Sequence, residues 1–135
     1  MSETEPDTQG VTTAPNLLIV DDCELMRLIV KRVIELSDMR VGTVHEAANG
    51  EAALSILTRH PIQVLFTDLN MPVMTGRELL QRLAGDERFK DLVRVVISTD
   101  GSTSRREELE KLGVTRYLDK PFSPEAIRAL LTQLL

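Results

Sequence analysis

The stretch Leu65-Phe66-Thr67-Asp68-Leu69-Asn70-Met71-Pro72 decides how this chain is interpreted. Its first half is an apolar run, which is typical of a strand covered on both faces of a sheet. The run ends in the carboxylate of Asp68, and a loop that contains proline follows it. Reactive side chains are often carried by loops held on a rigid scaffold. We therefore expect Asp68 to be the centre of a functional site.

Composition narrows the classes of function. The chain has 135 residues, which fits one domain, and its single cysteine excludes an intramolecular disulfide. Its formal charge is −5 and only 3% of its residues are aromatic, which argues against direct binding of nucleic acid. The acidic, polar N-terminus does not resemble a signal peptide, and no apolar run is long enough to cross a bilayer. We expect a cytoplasmic protein.

The rest of the chain alternates between strand-like and helix-like segments. Residues 1–15 are polar and are expected to be a disordered tail, and 16–135 are expected to form one domain without an output domain. Strands are predicted at 16–20, 41–47, 62–67, 93–97 and 114–118, and helices at 24–36, 50–59, 76–83, 102–112 and from 124 onward. In the first helix the apolar residues at helical spacing are Leu25, Leu28, Ile29, Val33 and Leu36. This alternation predicts an α/β fold with a parallel sheet and helices on both faces.

Four of the five predicted strands end in polar residues. Asp21 and Asp22 follow the first strand, Asp68 the third, Ser98-Thr99 the fourth, and Lys120 the fifth. In open parallel sheets, ligands bind beyond the carboxyl ends of the strands. We therefore expect these side chains to meet at one edge of the sheet.

Three carboxylates at one edge repel each other and need a cation nearby. At about 4 Å and an effective dielectric constant of about 20, each like-charged pair costs about 4 kcal/mol. Lys120 supplies one positive charge, and oxygen ligands of this kind suit Mg²⁺, which also binds substrate phosphates. If a phosphoryl group enters this site, Mg²⁺ and Lys120 can neutralise its oxygens while an Asp68 oxygen attacks phosphorus and Ser98 donates a hydrogen bond to the transferred group.

Four motifs in this order and spacing carry a resemblance. They are LLIVDD at 17–22, LFTDLNMP at 65–72, VVIST at 95–99 and YLDKPF at 117–122. Over 16–135 the sequence resembles the receiver domain of bacterial response regulators, in particular the single-domain regulators of chemotaxis. The resemblance implies a doubly wound (βα)₅, flavodoxin-like fold whose parallel sheet has the strand order 2-1-3-4-5.

The resemblance also implies a role for each residue of the acidic edge. Asp68 is expected to accept a phosphoryl group from a phosphohistidine of a sensor kinase or a histidine phosphotransfer protein. Asp22 is expected to bind Mg²⁺ directly, Asp21 through water and Asn70 through its backbone carbonyl, with Asp68 as a further ligand. Lys120 is expected to pair with the phosphoryl group.

Four further residues are expected to respond to the phosphoryl group or to border it. Ser98 and Tyr117 are the implied switch residues, which alter the face formed by the fourth helix, fifth strand and fifth helix. Met71 and Thr99 are expected to control access to the phosphate, and Thr99 stands where the family usually has a smaller Ala or Gly. The expected output is binding of a downstream protein by a monomer that catalyses only its own phosphorylation and dephosphorylation.

Other functions remain open at this point. A receiver of this type could instead act as a phosphorelay shuttle that passes the group to a histidine phosphotransfer protein. A haloacid-dehalogenase-type phosphatase needs a general acid two residues after its nucleophile, where this chain has Asn70. An FMN carrier needs a phosphate-binding loop after the first strand, which Asp21 and Asp22 would repel. A receiver that is never phosphorylated is disfavoured by the full set of acceptor residues.

Overall fold

The computed structural model describes residues 14–98, 103–120 and 122–134. Its strands are β1 (Leu17–Val20), β2 (Val44–Ala47), β3 (Val64–Thr67), β4 (Val93–Ser98) and β5 (Val114–Asp119). Its helices are α1 (Glu24–Leu36), α2 (Gly50–Arg59), α3 (Gly76–Ala84), α4 (Thr103–Glu110) and α5 (Pro124–Leu134), and a short 3₁₀ turn at Glu87–Phe89 precedes β4. The predicted alternation is confirmed: α1 and α2 have the predicted bounds, and no other strand or helix end differs from its predicted position by more than three residues.

All strand pairs in the sheet are parallel, and the order is β2-β1-β3-β4-β5. This confirms the expected doubly wound fold. Val20, the last residue of β1, lies beside Ala47 of β2 and Thr67 of β3. The backbone bonding continues one residue further, since Asp68 N donates to the Val20 carbonyl at 2.9 Å and Asp21 N to the Ala47 carbonyl at 3.1 Å. The register thus brings Asp21 and Asp68 to the same edge.

The sheet buries both of its faces, which explains why its central strands are almost wholly apolar. On one face Leu18 and Val20 pack with the buried side chains of α2 and α3 and with Leu109 of α4. On the other face Leu17 and Ile19 pack with the buried side chains of α1 and α5. These two cores hold the ends of β1 and β3 in place.

Helix α1 differs from the expectation in the side that it buries. Val30, Val33 and Ile34 are its buried residues. Of the residues predicted to form its apolar face, only Val33 is buried, and the others are exposed by 63% for Leu25, 59% for Leu28, 42% for Ile29 and 54% for Leu36. The helix carries two apolar faces, and periodicity alone could not tell which one meets the sheet. The face that does not meet the sheet is exposed to solvent, and we call it the α1 stripe. It consists of Leu25, Leu28, Ile29 and Leu36.

A buried cation lies at the opposite end of the sheet, inside a strand that the sequence suggested was apolar. Arg94 of β4 is only 6% exposed. Its guanidinium donates to the carbonyls of Leu83, Phe89 and Leu92 at 2.9 to 3.4 Å. Burial lowers the pKa of Arg94 from its usual value. The side chain fixes the connection between α3 and β4, because it satisfies carbonyls at the end of that helix.

The N-terminal boundary lies slightly earlier than expected. Pro15, which was assigned to the disordered tail, is buried, and its carbonyl accepts a hydrogen bond from Gly42 N at 2.7 Å. Ala14 of the predicted tail is half-buried, and residues 1–13 lie outside the described residues. Among the residues described, none of the helices has both the length and the apolar character needed to cross a membrane.

Candidate functional site

Three carboxylates meet at the carboxyl edge of the sheet, as the sequence predicted. Asp21 and Asp22 follow β1, and Asp68 follows β3. One oxygen of each lies within 4.8 Å of the others. Asp21 is buried, Asp68 is half-buried and Asp22 is exposed, so the cluster opens toward solvent on the Asp22 side.

Lys120 provides the positive charge for this cluster. Its Nζ lies 3.2 Å from an oxygen of Asp21 and 3.2 Å from an oxygen of Asp68, and its side chain is only 17% exposed. Its backbone N–H donates to the carbonyl of Ser98 at 3.1 Å, so the end of β5 is tied to the end of β4. Burial alone would lower the pKa of the ammonium, but Asp68 and Asp21 outweigh it and raise the pKa of Lys120. The lysine therefore stays charged beside the carboxylates.

The other carboxylate oxygens are oriented by backbone N–H groups. Asp21 Oδ1 accepts from Cys23 N at 2.9 Å, and Asp68 Oδ1 accepts from Leu69 N at 2.7 Å. Cys23 is the N-cap of α1 and provides no side-chain cap, so Asp21 supplies an acceptor at this helix start. Within the described residues, the carboxylate of Asp22 has no hydrogen-bond partner.

The donor set fits a hard divalent cation. All three side chains offer oxygen ligands, which is the chemistry that Mg²⁺ prefers. Lys120 neutralises only part of the charge of three carboxylates, which leaves an excess of negative charge for a cation to bind. Asn70, the fourth predicted ligand, lies two residues after Asp68 and is exposed.

Close packing against the backbone of Asp68 fixes the loop after β3, and the sequence reasoning missed this. Gly76, the first residue of α3, donates its N–H to the Leu69 carbonyl at 3.0 Å. A Cβ at Gly76 would lie 1.9 Å from the carbonyl oxygen of Asp68. The available signal was the capping box formed by Thr75 and Glu78, which marks where α3 must begin. Only glycine allows α3 to start this close to Asp68.

The same loop contains a strained residue. Val73 has φ of 68°, in the left-handed region that a β-branched side chain rarely adopts, and it is 74% exposed. Met74 N donates to the carbonyl of Pro72 at 2.8 Å, and the Met74 carbonyl accepts from Gly50 N at 2.8 Å. The loop between Asp68 and α3 is therefore held in one shape by α2 and by its own backbone.

The two predicted switch residues lie at the β4 and β5 side of the site. Ser98 is buried and ends β4, two strand positions from Tyr117 along the β4–β5 pairing. The Tyr117 hydroxyl donates to the carbonyl of Arg106 in α4 at 2.9 Å. Burial and the charge of Glu110 raise the pKa of Tyr117, and the nearby Arg106 partly opposes them.

Of the two residues expected to control access to the phosphate, the structure describes only Met71. Met71 is only 7% exposed and packs in the core beneath α2 and α3, so it supports the loop from inside. Thr99 lies outside the described residues.

Comparison with known protein families agrees with this geometry. The family model described as the response regulator receiver domain matches residues 17–132. The chain belongs to the response regulator receiver domain family. Receiver domains in this family bind Mg²⁺ and are phosphorylated, and they act as switches in two-component signalling.

Several relatives of this receiver are chemotaxis proteins. It is 37% identical over 120 residues to chemotaxis protein CheY1 of Helicobacter pylori, covering 88% of this chain and 95% of the relative. It is 34% identical to a chemotaxis protein CheY homolog of Campylobacter jejuni, covering 88% of this chain and 91% of the relative. Among solved structures, chemotaxis protein CheY4 of Vibrio cholerae matches with a TM-score of 0.81 and 29% identity, covering 91% of this chain and all of that chain.

The contact between Gly76 and Asp68 yields a prediction for this receiver. Gly76→Ala forces a methyl group into the Asp68 carbonyl, and we expect it to lower the free energy of unfolding by about 2 to 3 kcal/mol in urea denaturation. Mg²⁺ affinity should fall with it, because the Asp68 backbone must shift. Gly85→Ala is the matched control, since a Cβ there meets nothing within 4 Å. Equal stability and Mg²⁺ affinity in the two variants would contradict this account.

Proposed function

We propose that this receiver is a phosphorylation-controlled switch that works in the cytoplasm. Asp68 takes a phosphoryl group from a phosphohistidine of a sensor kinase in a Mg²⁺-dependent reaction. The signal then passes to a partner protein through the face formed by α4, β5 and α5. The observation that carries the proposal is the position of Lys120 between Asp68 and Asp21, beside a third carboxylate.

In the proposed reaction, an Asp68 carboxylate oxygen attacks phosphorus in line with the leaving imidazole nitrogen. The P–N bond breaks as the O–P bond forms, and the electron pair returns to the imidazole. Lys120 remains a cation and moves its contact from the Asp68 carboxylate to an oxygen of the transferred group. Asp21, Asp22, Asp68 and the Asn70 carbonyl would hold Mg²⁺, which supplies positive charge for the phosphoryl oxygens.

The proposed output starts from Ser98, a buried hydroxyl at the end of β4. Ser98 donates a hydrogen bond to the phosphoryl group, and Tyr117 changes position in response. Tyr117 now contacts α4, so its movement alters the α4-β5-α5 face. The names of the relatives support chemotaxis as the pathway. An Asp-nucleophile phosphatase is not proposed, because the Asn70 side chain cannot serve as its general acid.

Phosphorylation by a small donor tests the chemistry without a partner protein. Incubation with acetyl phosphate and Mg²⁺, followed by intact-mass measurement, should give a population heavier by one phosphoryl group. Asp68→Asn should abolish this adduct. Asp91→Asn, which removes an exposed carboxylate distant in sequence from the site, should retain it. No adduct on the wild type, or an adduct that survives Asp68→Asn, would overturn the proposal.

The α1 stripe indicates how the phosphodonor approaches. It begins at Leu25, three residues after Asp22, and continues through Leu28, Ile29 and Leu36. A phosphohistidine must come into bonding distance of Asp68, and the carboxylate cluster is exposed at Asp22, two residues before α1 begins. We therefore expect the protein that carries the phosphohistidine to contact this end of α1. Exposed apolar side chains in such a patch mark an interaction surface. We propose that a helix of the donor protein packs on the Leu25 end of the stripe.

Comparing a protein donor with a small donor tests this docking surface. The double variant Leu25→Ser/Leu28→Ser should slow phosphotransfer from an autophosphorylated sensor kinase at least about tenfold, because two apolar contacts are lost. Its phosphorylation by acetyl phosphate should be unchanged. Leu36→Ser is the matched control, since Leu36 lies roughly 16 Å along the helix from Leu25. An equal slowing with both donors, or no slowing with the kinase, would refute the proposed docking surface.

A further inference from the structure

One residue of α4 contacts the switch tyrosine in two ways. The carbonyl of Arg106 accepts the hydrogen bond from the Tyr117 hydroxyl at 2.9 Å. Its guanidinium carbon lies 4.6 Å from the centre of the Tyr117 ring, in the range of a cation–π interaction. Backbone and side chain of Arg106 therefore both hold the ring against α4.

Arg106 also reaches the segment that carries the catalytic lysine. Its Nη2 lies 3.6 Å from an oxygen of Asp119, the residue before Lys120. The Asp119 side chain is 71% exposed, so this ion pair is solvated and adds little stability by itself. The ion pair instead orients the Arg106 side chain. One nitrogen of the guanidinium lies at Asp119, next to Lys120, while the guanidinium carbon lies over the Tyr117 ring.

The space beside Tyr117 is too small for the ring to move without α4. The cavity between Ser98, Leu109 and Tyr117 has a volume of about 10 Å³, which is enough for about one water molecule. A phenol ring is several times larger than one water molecule and therefore does not fit this cavity. Movement of Tyr117 toward Ser98 therefore requires that α4 shifts and that the ring separates from Arg106.

We propose that Arg106 is the positioning residue of the switch, which holds Tyr117 against α4 and so sets how readily the receiver reaches its signalling arrangement. This inference rests on the proposed function and names a residue that regulates it. Phosphorylation has to displace Tyr117 from the guanidinium. The strength of a partly exposed cation–π contact corresponds to about a 2- to 5-fold change in the population of the signalling arrangement.

The composition makes the switch directly observable. Tyr117 is the only tyrosine and the chain has no tryptophan, so 3-fluorotyrosine labelling gives a single ¹⁹F signal from the switch residue. Recording this signal with and without Mg²⁺ and beryllofluoride, a phosphoryl mimic, defines its two end positions in the wild type. The rate of phosphorylation by acetyl phosphate is measured in parallel, because removal of Arg106 also changes the ring environment directly.

We expect Arg106→Ala to move the signal of the free protein toward the beryllofluoride position and to speed phosphorylation about 2- to 5-fold. Arg106→Lys keeps the charge but not the planar group, and should restore part of the wild-type behaviour. Arg128→Ala is the matched control, since it removes an exposed arginine from α5. Its signal and its rate should equal those of the wild type.

The possible results separate this inference from the function on which it rests. A wild-type signal that ignores beryllofluoride would overturn both. A wild-type signal that responds, combined with an Arg106→Ala rate and free signal equal to those of Arg128→Ala, would overturn the role of Arg106 and leave the switch intact. Thermal unfolding of each variant shows whether it is folded, and Arg106→Lys provides the test if Arg106→Ala is not.

Discussion

The ammonium of Lys120 lies between two carboxylates that come from different strands, and the site depends on this contact. Without it, Asp21 and Asp68 would repel each other at the edge of a buried sheet. The two carboxylates raise the pKa of Lys120 despite its burial. A lysine with a raised pKa contributes stability below its unfolded pKa of about 10.4 and loses it as the pH rises through the folded value. The contact is thus intact throughout the neutral range.

The fold makes this contact possible by register. Parallel pairing brings the ends of β1 and β3 level, and the backbone bond from Asp68 to Val20 extends the pairing to the carboxylates themselves. Gly76 then lets α3 begin against the Asp68 backbone. Asp21, Asp68 and Lys120 are held before any ligand arrives. Little ordering of these three groups is therefore needed in the proposed phosphoryl transfer. The same rigidity links the site to β5, because Tyr117 lies in this strand and Lys120 directly follows it.

The alternation of segments and the polar residues at strand ends were sufficient to predict a parallel α/β sheet and the acidic cluster, and the resemblance to receiver domains supplied the strand order. Both patterns can be identified from short stretches of sequence, and the geometry of a parallel sheet determines where the strand ends lie. The buried face of α1 was not predictable, because the exposed Leu25 and Leu28 and the buried Val30 and Ile34 both recur at helical spacing. The contacts of Arg94, Gly76 and Arg106 join distant segments and depend on exact packing, which periodicity does not contain.

The central claim is that Asp68 receives the phosphoryl group and that Lys120 then leaves the Asp68 carboxylate to bind it. A crystal structure of the protein with Mg²⁺ and beryllofluoride tests this most directly. We expect beryllium bonded to an Asp68 oxygen, Mg²⁺ ligated by the carboxylates of this cluster, and Lys120 Nζ in contact with a fluorine. Beryllofluoride on another residue, or Lys120 still bound to the Asp68 carboxylate with Mg²⁺ elsewhere, would contradict it.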